Sequence, residues 1–95
     1  MFTTLAEVGI SDLATFLSVF GTRGADMRRK HGSRYAGVWR ASDDESRVYV
    51  LIDWDSKEHF ERFRADPAVP PTMKSGGITA PPRFTPLTQV AEFPA

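Results

Sequence analysis

Hydrophobic and polar positions along this chain switch between an alternating pattern and a helical pattern. Phe2 to Val8 is rich in β-branched and aromatic residues with period-two alternation, which predicts a strand. Arg34 to Arg40 and Arg47 to Trp54 predict two more strands, joined as a hairpin by the acidic, turn-rich loop Ser42 to Ser46. A last strand is predicted over Leu87 to Phe93, after a proline-containing connector.

Two segments between these strands have helical periodicity. In the first, apolar residues recur at positions i, i+3, i+4 and i+7, and Ser11 or Asp12 precedes them as a capping residue. This face consists of Leu13, Phe16, Leu17 and Phe20. The pattern resumes over Ala25 to Lys30, so we expect one long helix with a weak point at Gly21 and a C-terminal cap at Gly32.

The second helical segment begins after Asp55, which with Glu58 fits a capping box. Its inward stripe is predicted to consist of His59, Phe60 and Phe63. The pair Pro70-Pro71 is expected to break any long continuation, since proline removes a helix hydrogen bond, and to leave at most one turn over Thr72 to Ser75.

The order of elements, β-α-β-β-α-β, predicts an α+β, ferredoxin-like fold with a four-stranded antiparallel sheet. Both faces of the second hairpin strand are largely apolar, which indicates that both are covered. One face holds Val48, Val50, Ile52 and Trp54, and the other holds Tyr49, Leu51 and Asp53. One layer of helices covers only one face, so the pattern favours a homodimer in which a second copy covers the other.

Composition and charge exclude several classes of function. The 95 residues are expected to form a single domain spanning residues 1–95. Twelve basic residues balance twelve acidic ones, which argues against a nucleic-acid partner. The absence of cysteine excludes a disulfide framework and a cysteine nucleophile. No apolar run is long enough to span a membrane and no signal-peptide pattern is present, so we expect a cytoplasmic protein without a membrane partner.

Several landmarks together resemble one protein family. They are Asp66-Pro67 through Met73, Gly77-Ile78, Pro81-Pro82, Leu87 and Val90, preceded by the Phe16/Phe20 helix, Gly32, Arg40 before Asp43-Asp44, and the apolar strand ending at Asp53. The pattern resembles short bacterial proteins labelled "cyclase" or antibiotic-biosynthesis-monooxygenase-like, many without an assigned reaction. The resemblance implies a dimeric α/β barrel, in which two ferredoxin-like subunits pair their sheets and bind small aromatic or polyketide-like molecules between sheet and helices.

The resemblance also implies a class of chemistry. Members of this broad group include cofactor-free monooxygenases, in which the substrate supplies the electrons as a stabilised carbanion, and polyketide cyclases. We therefore expect a cofactor-independent monooxygenase or cyclase acting on an aromatic or polyketide-like compound, with no cofactor and no metal. In haem-degrading relatives a helix histidine ligates iron, but the asparagine expected in the first strand is absent here. The alternative is a non-catalytic ligand-binding or dimeric assembly module on the same fold.

His59 and Asp53 are the candidate catalytic bases. A histidine facing the cavity has a pKa near neutrality and can remove a proton from an acidic C–H or phenol. Asp53 shares a strand face with Tyr49, so it can act as a base beside a hydrogen-bond donor if that face lines the cavity. If that face meets a partner subunit, both groups form interface hydrogen bonds. His59 as a half-exposed helix residue is the structural alternative.

The candidate substrate-binding residues are aromatic or flexible side chains. Trp39 and Trp54 lie near the ends of the hairpin strands, where an indole N–H can hold a quinone-like oxygen, or where both can serve as core or interface aromatics. Met73 lies beside a Gly-Gly pair and several prolines, as expected of a pocket lid or of a segment that packs over the sheet edge. The complete set of candidates for substrate binding is Trp39, Trp54, Tyr49, Tyr35, Phe63 and Met73.

Overall fold

A computed structural model describes residues 1–95 as a four-stranded sheet with four short helices. The strands are β1 (Phe2–Gly9), β2 (Ser33–Arg40), β3 (Arg47–Trp54) and β4 (Arg83–Leu87), and the helices are α1 (Leu13–Phe20), α2 (Arg23–Lys30), α3 (Lys57–Ala65) and α4 (Val69–Ser75). The predicted ferredoxin-like α+β fold is confirmed. None of the helices is long and apolar enough to cross a bilayer.

The sheet is antiparallel throughout, with the strand order β2-β3-β1-β4. Phe2 lies opposite Trp54 and Gly9 opposite Arg47, so β1 and β3 pair along their whole lengths. The two central strands carry the core, because alternate residues of a strand point to the same side. On that side Ala6, Val8 and the even-numbered positions of β3 are buried under the helices.

The expected single long helix is wrong, because the first helical segment forms two helices that are separated at the predicted weak point, Gly21. α1 ends at Phe20 with Gly21 as its C-cap, α2 begins at Arg23, and the Thr22 between them departs from helical backbone geometry. Asp12 caps α1 by accepting a hydrogen bond from the Thr15 N–H at 2.8 Å, as expected of a side-chain oxygen at this position. Gly32 follows the α2 C-cap with a φ of +81°, a conformation that favours glycine.

Three predictions about the second half of the chain are wrong. α3 is capped by Ser56, whose Oγ accepts from the backbone N–H of His59, rather than by Asp55. Pro70-Pro71 lies within the first turn of α4, where proline is tolerated because the backbone N–H groups there have no helical partner. The last strand is Arg83–Leu87 instead of Leu87–Phe93, since pairing with β1 ends at Leu87 opposite Thr3.

The two faces of the sheet differ in what covers them. α1, α3 and α4 supply Phe16, Phe60, Phe63 and Val69 to one core cluster over the first face. The second face carries no element of this chain, and Tyr35 and Trp39 on it remain 49% and 55% exposed. Beyond β4 the chain ends in a segment without regular structure that exposes Val90 and Phe93.

Candidate functional site

A cavity lies between the covered face of the sheet and the helices. Its volume is about 70 Å³, well below the roughly 300–1,000 Å³ of sites for drug-sized ligands. Thirteen of its eighteen lining residues are hydrophobic. The wall is formed by Ala6, Val8, Phe16, Val19, Phe20, Gly24, Met27, Arg28, Val50, Ile52, Phe63, Val69, Thr72, Met73, Gly76, Ile78, Pro82 and Phe84. The pocket is partly open to the surface, so a larger ligand either extends out of it or requires the helices to move apart.

The shape of the cavity follows from local sequence patterns. On the sheet side it is lined by alternate residues of β1 and β3 with small or branched side chains, which leave space between the sheet and the helices. Phe16 and Phe20, four residues apart on α1, stack with ring centroids 5.3 Å apart and close one side. A Cβ at Gly24 would lie 3.0 Å from the Val19 carbonyl oxygen, so a glycine there allows α2 to approach the end of α1.

Arg28 is the only charged residue on the cavity wall. Its guanidinium carbon lies 3.7 Å from the centre of the Phe20 ring, and its Nη1 donates a 3.0 Å hydrogen bond to the Phe20 carbonyl. No carboxylate lies within 4.0 Å of it. Burial, with a smaller effect from Arg29, lowers the pKa of Arg28 to about 10, so the side chain stays cationic at neutral pH.

Phe63 and Met73 are the two sequence-predicted residues that line the cavity. Trp54 is fully buried outside it: its ring lies 4.8 Å from Phe63 and 5.6 Å from Phe60, and its Nε1 donates a 3.0 Å hydrogen bond to Thr4 Oγ1. Because this indole N–H already has a buried partner, Trp54 holds α3 against the sheet in this structure.

Asp53, Tyr49, Tyr35 and Trp39 lie together on the open face, with the sheet between them and the cavity. Tyr35 is opposite Asp53, and Trp39 is opposite Tyr49, across the β2–β3 pair. Asp53 Oδ1 accepts a 2.6 Å hydrogen bond from Thr3 Oγ1 of β1. Sequence periodicity left open which face lines the cavity, and this arrangement favours the alternative in which these groups meet a partner subunit.

His59 lies at the start of α3, away from the cavity. Its Nδ1 is 2.6 Å from Ser56 Oγ, so its ring adjoins the N-cap of the helix. An added Cβ at Gly32 would lie 2.7 Å from His59 Cδ2, which places the ring against the turn that leads into β2. No group of three or more histidine, cysteine, aspartate or glutamate side chains is arranged to hold a metal ion.

Sequence reasoning missed Arg28 as a site residue. The run Arg28-Arg29-Lys30-His31 is typical of a solvated helix C-terminus, and only Arg29 and Lys30 of this run are exposed. The bend at Gly21 brings Arg28 back over Phe20, eight residues earlier, a contact that single-helix periodicity does not reveal. The signal was the glycine-rich break itself, which predicts that α2 folds back on α1.

His31 is also more enclosed than the sequence indicates. Its Nε2 lies 2.8 Å from Asp66 Oδ2, and its ring meets Phe63 edge-on at 6.1 Å. The hydrogen bond from His31, followed in size by one from the Ala68 N–H, lowers the pKa of Asp66 to about 2. This pair joins the end of α2 to the end of α3 and stands outside the cavity wall.

Comparisons with known proteins identify the fold. No family model matches the chain, and no curated protein matches it. The structure of SnoaB, a cofactor-independent oxygenase from Streptomyces nogalater, superposes with a TM-score of 0.77 at 20% identity, covering 99% of this chain and 97% of that one. A candidate antibiotic biosynthesis monooxygenase from Bordetella bronchiseptica gives a TM-score of 0.78 at 16% identity, with 95% and 97% covered. The chain therefore has the ferredoxin-like fold found in antibiotic-biosynthesis-monooxygenase-like proteins.

Proposed function

We propose that this protein is a cofactor-independent monooxygenase or cyclase acting on an aromatic or polyketide-like compound in the cavity between sheet and helices. The observation that carries the proposal is the apolar cavity itself, enclosed by aromatic side chains and one cation. Small-molecule sites are mostly apolar with a few convergent polar groups, and this cavity has that lining although its volume is only about 70 Å³. The fold likeness to SnoaB, a cofactor-independent oxygenase, supports the same class of chemistry.

The reaction proposed is an oxygenation in which the substrate supplies the electrons. An aromatic ketone with an acidic methylene loses a proton to give a delocalised carbanion, which reduces O₂. One oxygen atom becomes the new carbonyl oxygen and the other leaves as water, so CH₂ + O₂ gives C=O + H₂O. The apolar wall excludes water from the carbanion, and Arg28 supplies positive charge at the cavity edge.

Phe63 and Met73 are proposed to shape the pocket, since both line it. His59 or Asp53 is proposed as the general base, and neither side chain lies on the cavity wall. Trp39, Tyr35 and Tyr49 are proposed to act at the subunit interface rather than on the substrate. H59Q and D53N in a turnover assay test the base role, which requires a large loss of kcat in one variant.

A second copy of the chain is proposed to cover the open face and form a homodimer. Leu5, Leu51 and the ring of Trp39 lie on that face, which carries no element of the chain itself. Exposed aromatic residues such as Trp39 are typical of interface anchors. A chain of 95 residues buries a modest fraction of its surface alone, so this association also stabilises the fold.

Oxygen consumption with anthrone tests the enzymatic proposal. Anthrone is a tricyclic aromatic ketone with an acidic methylene, and its oxidation to a quinone is followed by absorbance and an oxygen electrode. We expect turnover by the wild type and a loss of about tenfold or more in M73W, because the indole fills the cavity. K74W is the matched control, since Lys74 is exposed on the same helix. Equal turnover in M73W and K74W would place the reaction elsewhere.

One observation favours the alternative of a non-catalytic binding or assembly module. The cavity is about 70 Å³ and its wall contains no histidine or carboxylate. Native mass spectrometry of protein purified without added ligand separates the two functions when combined with the anthrone assay. A dimer that retains a small molecule but consumes no oxygen with any acidic aromatic ketone supports the binding module.

A further inference from the structure

We propose that the cavity selects ligands that carry an anionic oxygen, with Arg28 as the residue that binds it. The ligand class is a small aromatic phenolate, enolate or carboxylate, with the ring in the apolar space and the anionic oxygen at the guanidinium. The inference deepens the proposed function, since it rests on the use of the cavity as a ligand site.

The first support is the incomplete set of partners around Arg28. A guanidinium has five N–H donors in a fixed fork, and one hydrogen bond, from Nη1 to the Phe20 carbonyl, is present. Other arginines nearby are paired: Arg29 lies 3.3 Å from Asp26, and Arg34 lies 2.6 Å from Asp55. Arg28 alone among these three has no carboxylate, although it is the most enclosed of them.

Arg28 lies between the apolar cavity and a polar groove. On one side it borders the cavity. On the other it borders a polar groove between α2 and β2, which is lined by Ala25, Arg28, Arg29, Ser33, Arg34, Tyr35 and Ala36. Arg29 and Arg34 on this groove are each paired with a carboxylate, so Arg28 contributes its uncompensated positive charge, which attracts an anion. An anionic oxygen at Arg28 thus faces the groove, while an attached ring faces the cavity.

The third support is the rigidity of the guanidinium. Its central carbon lies 3.7 Å from the centre of the Phe20 ring, and the Phe20 ring in turn stacks on Phe16. A guanidinium held on an aromatic face and tied to a backbone carbonyl is already oriented, so little freedom is lost when it binds an oxyanion. In an apolar surrounding the charge-assisted bond is stronger than at the surface.

The selection has a chemical consequence for the proposed reaction. Because the cation stabilises the ionised form of a bound phenol or enol, it lowers the pKa of that ligand. Proton loss is the step that makes the substrate electron-rich, so Arg28 favours the state that reacts with O₂. No acid–base side chain of the cavity wall is needed to hold the anion once it forms.

A pair of probes of nearly equal shape tests the inference. 4-Nitrophenol ionises near neutral pH and its anion is yellow, whereas 4-nitrotoluene carries a methyl group in place of the hydroxyl. Binding of both is measured by ligand-observed NMR with wild type, R28Q and R62Q, and the colour of bound 4-nitrophenol reports its ionised fraction. Arg62 is the matched control because it is exposed on α3, off the cavity wall and without an ion pair.

We expect the wild type to bind the nitrophenolate about tenfold or more tightly than nitrotoluene, the size of a charge-assisted hydrogen bond. Bound 4-nitrophenol becomes more ionised than free probe at the same pH. R28Q removes both effects and leaves nitrotoluene binding within about twofold, whereas R62Q behaves as the wild type. If R28Q does not fold, the Arg28 Nε–H resonance of the wild type provides the second readout and shifts with nitrophenolate but not with nitrotoluene.

Two results would overturn anion selection by Arg28, and only the second would also overturn the proposed function. Equal binding of both probes, with no change in R28Q and no shift of the Arg28 Nε–H resonance, refutes anion selection and leaves the cavity as a ligand site. Failure of both probes and of anthrone to bind refutes the ligand site and the proposed function together.

Discussion

The two faces of the sheet differ in their residue types and in how far their side chains are exposed. On the covered face, Val48, Ile52 and Trp54 of β3 are at most 4% exposed. On the open face of the same hairpin, Trp39 is 55% exposed and is accompanied by Asp53 and Tyr49. Aliphatic residues thus dominate where the chain's own helices pack, and amphipathic aromatics dominate where a partner is proposed to pack. The comparison shows that strand periodicity identifies two faces, and residue chemistry distinguishes them.

The two tryptophans lie on opposite faces of the sheet and differ most in exposure. W54A removes a fully buried side chain and leaves a cavity behind α3, so we expect the free energy of unfolding to fall by about 3–5 kcal/mol. W39A removes a half-exposed ring, and its effect at protein concentrations that keep the subunits apart is about 1 kcal/mol or less. Chemical denaturation of both variants at low concentration measures the difference. Equal losses would show that the two faces are equivalent within one subunit.

Association is the second way to test the open face. W39R replaces the most exposed aromatic ring of the open face with a charge, so we expect dimer affinity to fall by about 2 kcal/mol or more, roughly thirtyfold. R40A is the control, because Arg40 is exposed and forms no ion pair. Analytical ultracentrifugation over a dilution series gives both affinities. A wild type that sediments as a monomer at all concentrations would contradict the proposed dimer outright.

Two neighbouring threonines extend the comparison to hydrogen bonds. T4V leaves the buried Trp54 indole N–H without its partner, which costs about 1–3 kcal/mol of unfolding free energy. T3V removes the bond to Asp53 on the open face, where water can replace it, and costs about 1 kcal/mol or less. Thermal or urea denaturation of both variants measures the gap. A larger loss of unfolding free energy in T3V would show that the Thr3–Asp53 hydrogen bond is less accessible to water than the Trp54–Thr4 bond.

Asp66 supplies an effect that depends on pH, and it lies outside both faces. Its pKa falls to about 2 in the folded state, chiefly through His31, against about 4 in an unfolded chain. The stabilisation is therefore present above about pH 4 and is lost as the pH falls through about 2. We expect the stability difference between wild type and D66N to shrink across this range when urea denaturation is repeated at each pH. D43N, at an exposed carboxylate without an ion pair, should show no such trend.

Sequence patterns predicted elements well where local chemistry decides them. β1, the hairpin and the bend at Gly21 follow from alternation, turn residues and glycine, and the structure has them within one or two residues. Patterns failed where the outcome depends on distant partners. β4 ends at Leu87, opposite Thr3, because the antiparallel strand β1 begins at Phe2. α4 can begin at Val69 because its prolines fall in the first turn, where they break no helical bond.

The candidate site was predicted less completely for a related reason. Phe63 and Met73 follow from a helical stripe and a flexible segment, and both line the cavity. Arg28 was not predicted as a site residue because it contacts Phe20 on another helix and not its own neighbours in sequence. His59 was assigned to the inward stripe, whereas its ring turns to the Ser56 cap at the helix start. Periodicity predicts which face of an element a side chain lies on, but it does not predict the contacts that the side chain forms with residues elsewhere in the chain.

The short helix α4 contributes Val69, Thr72 and Met73 to the cavity wall. It has seven residues, and two of its first three are prolines, which lack an N–H and have a backbone already restricted to helical φ values. Less conformational entropy is therefore lost when this segment folds than when a helix of equal length without prolines does. The prolines thus help to keep one wall of the cavity in place although α4 is short.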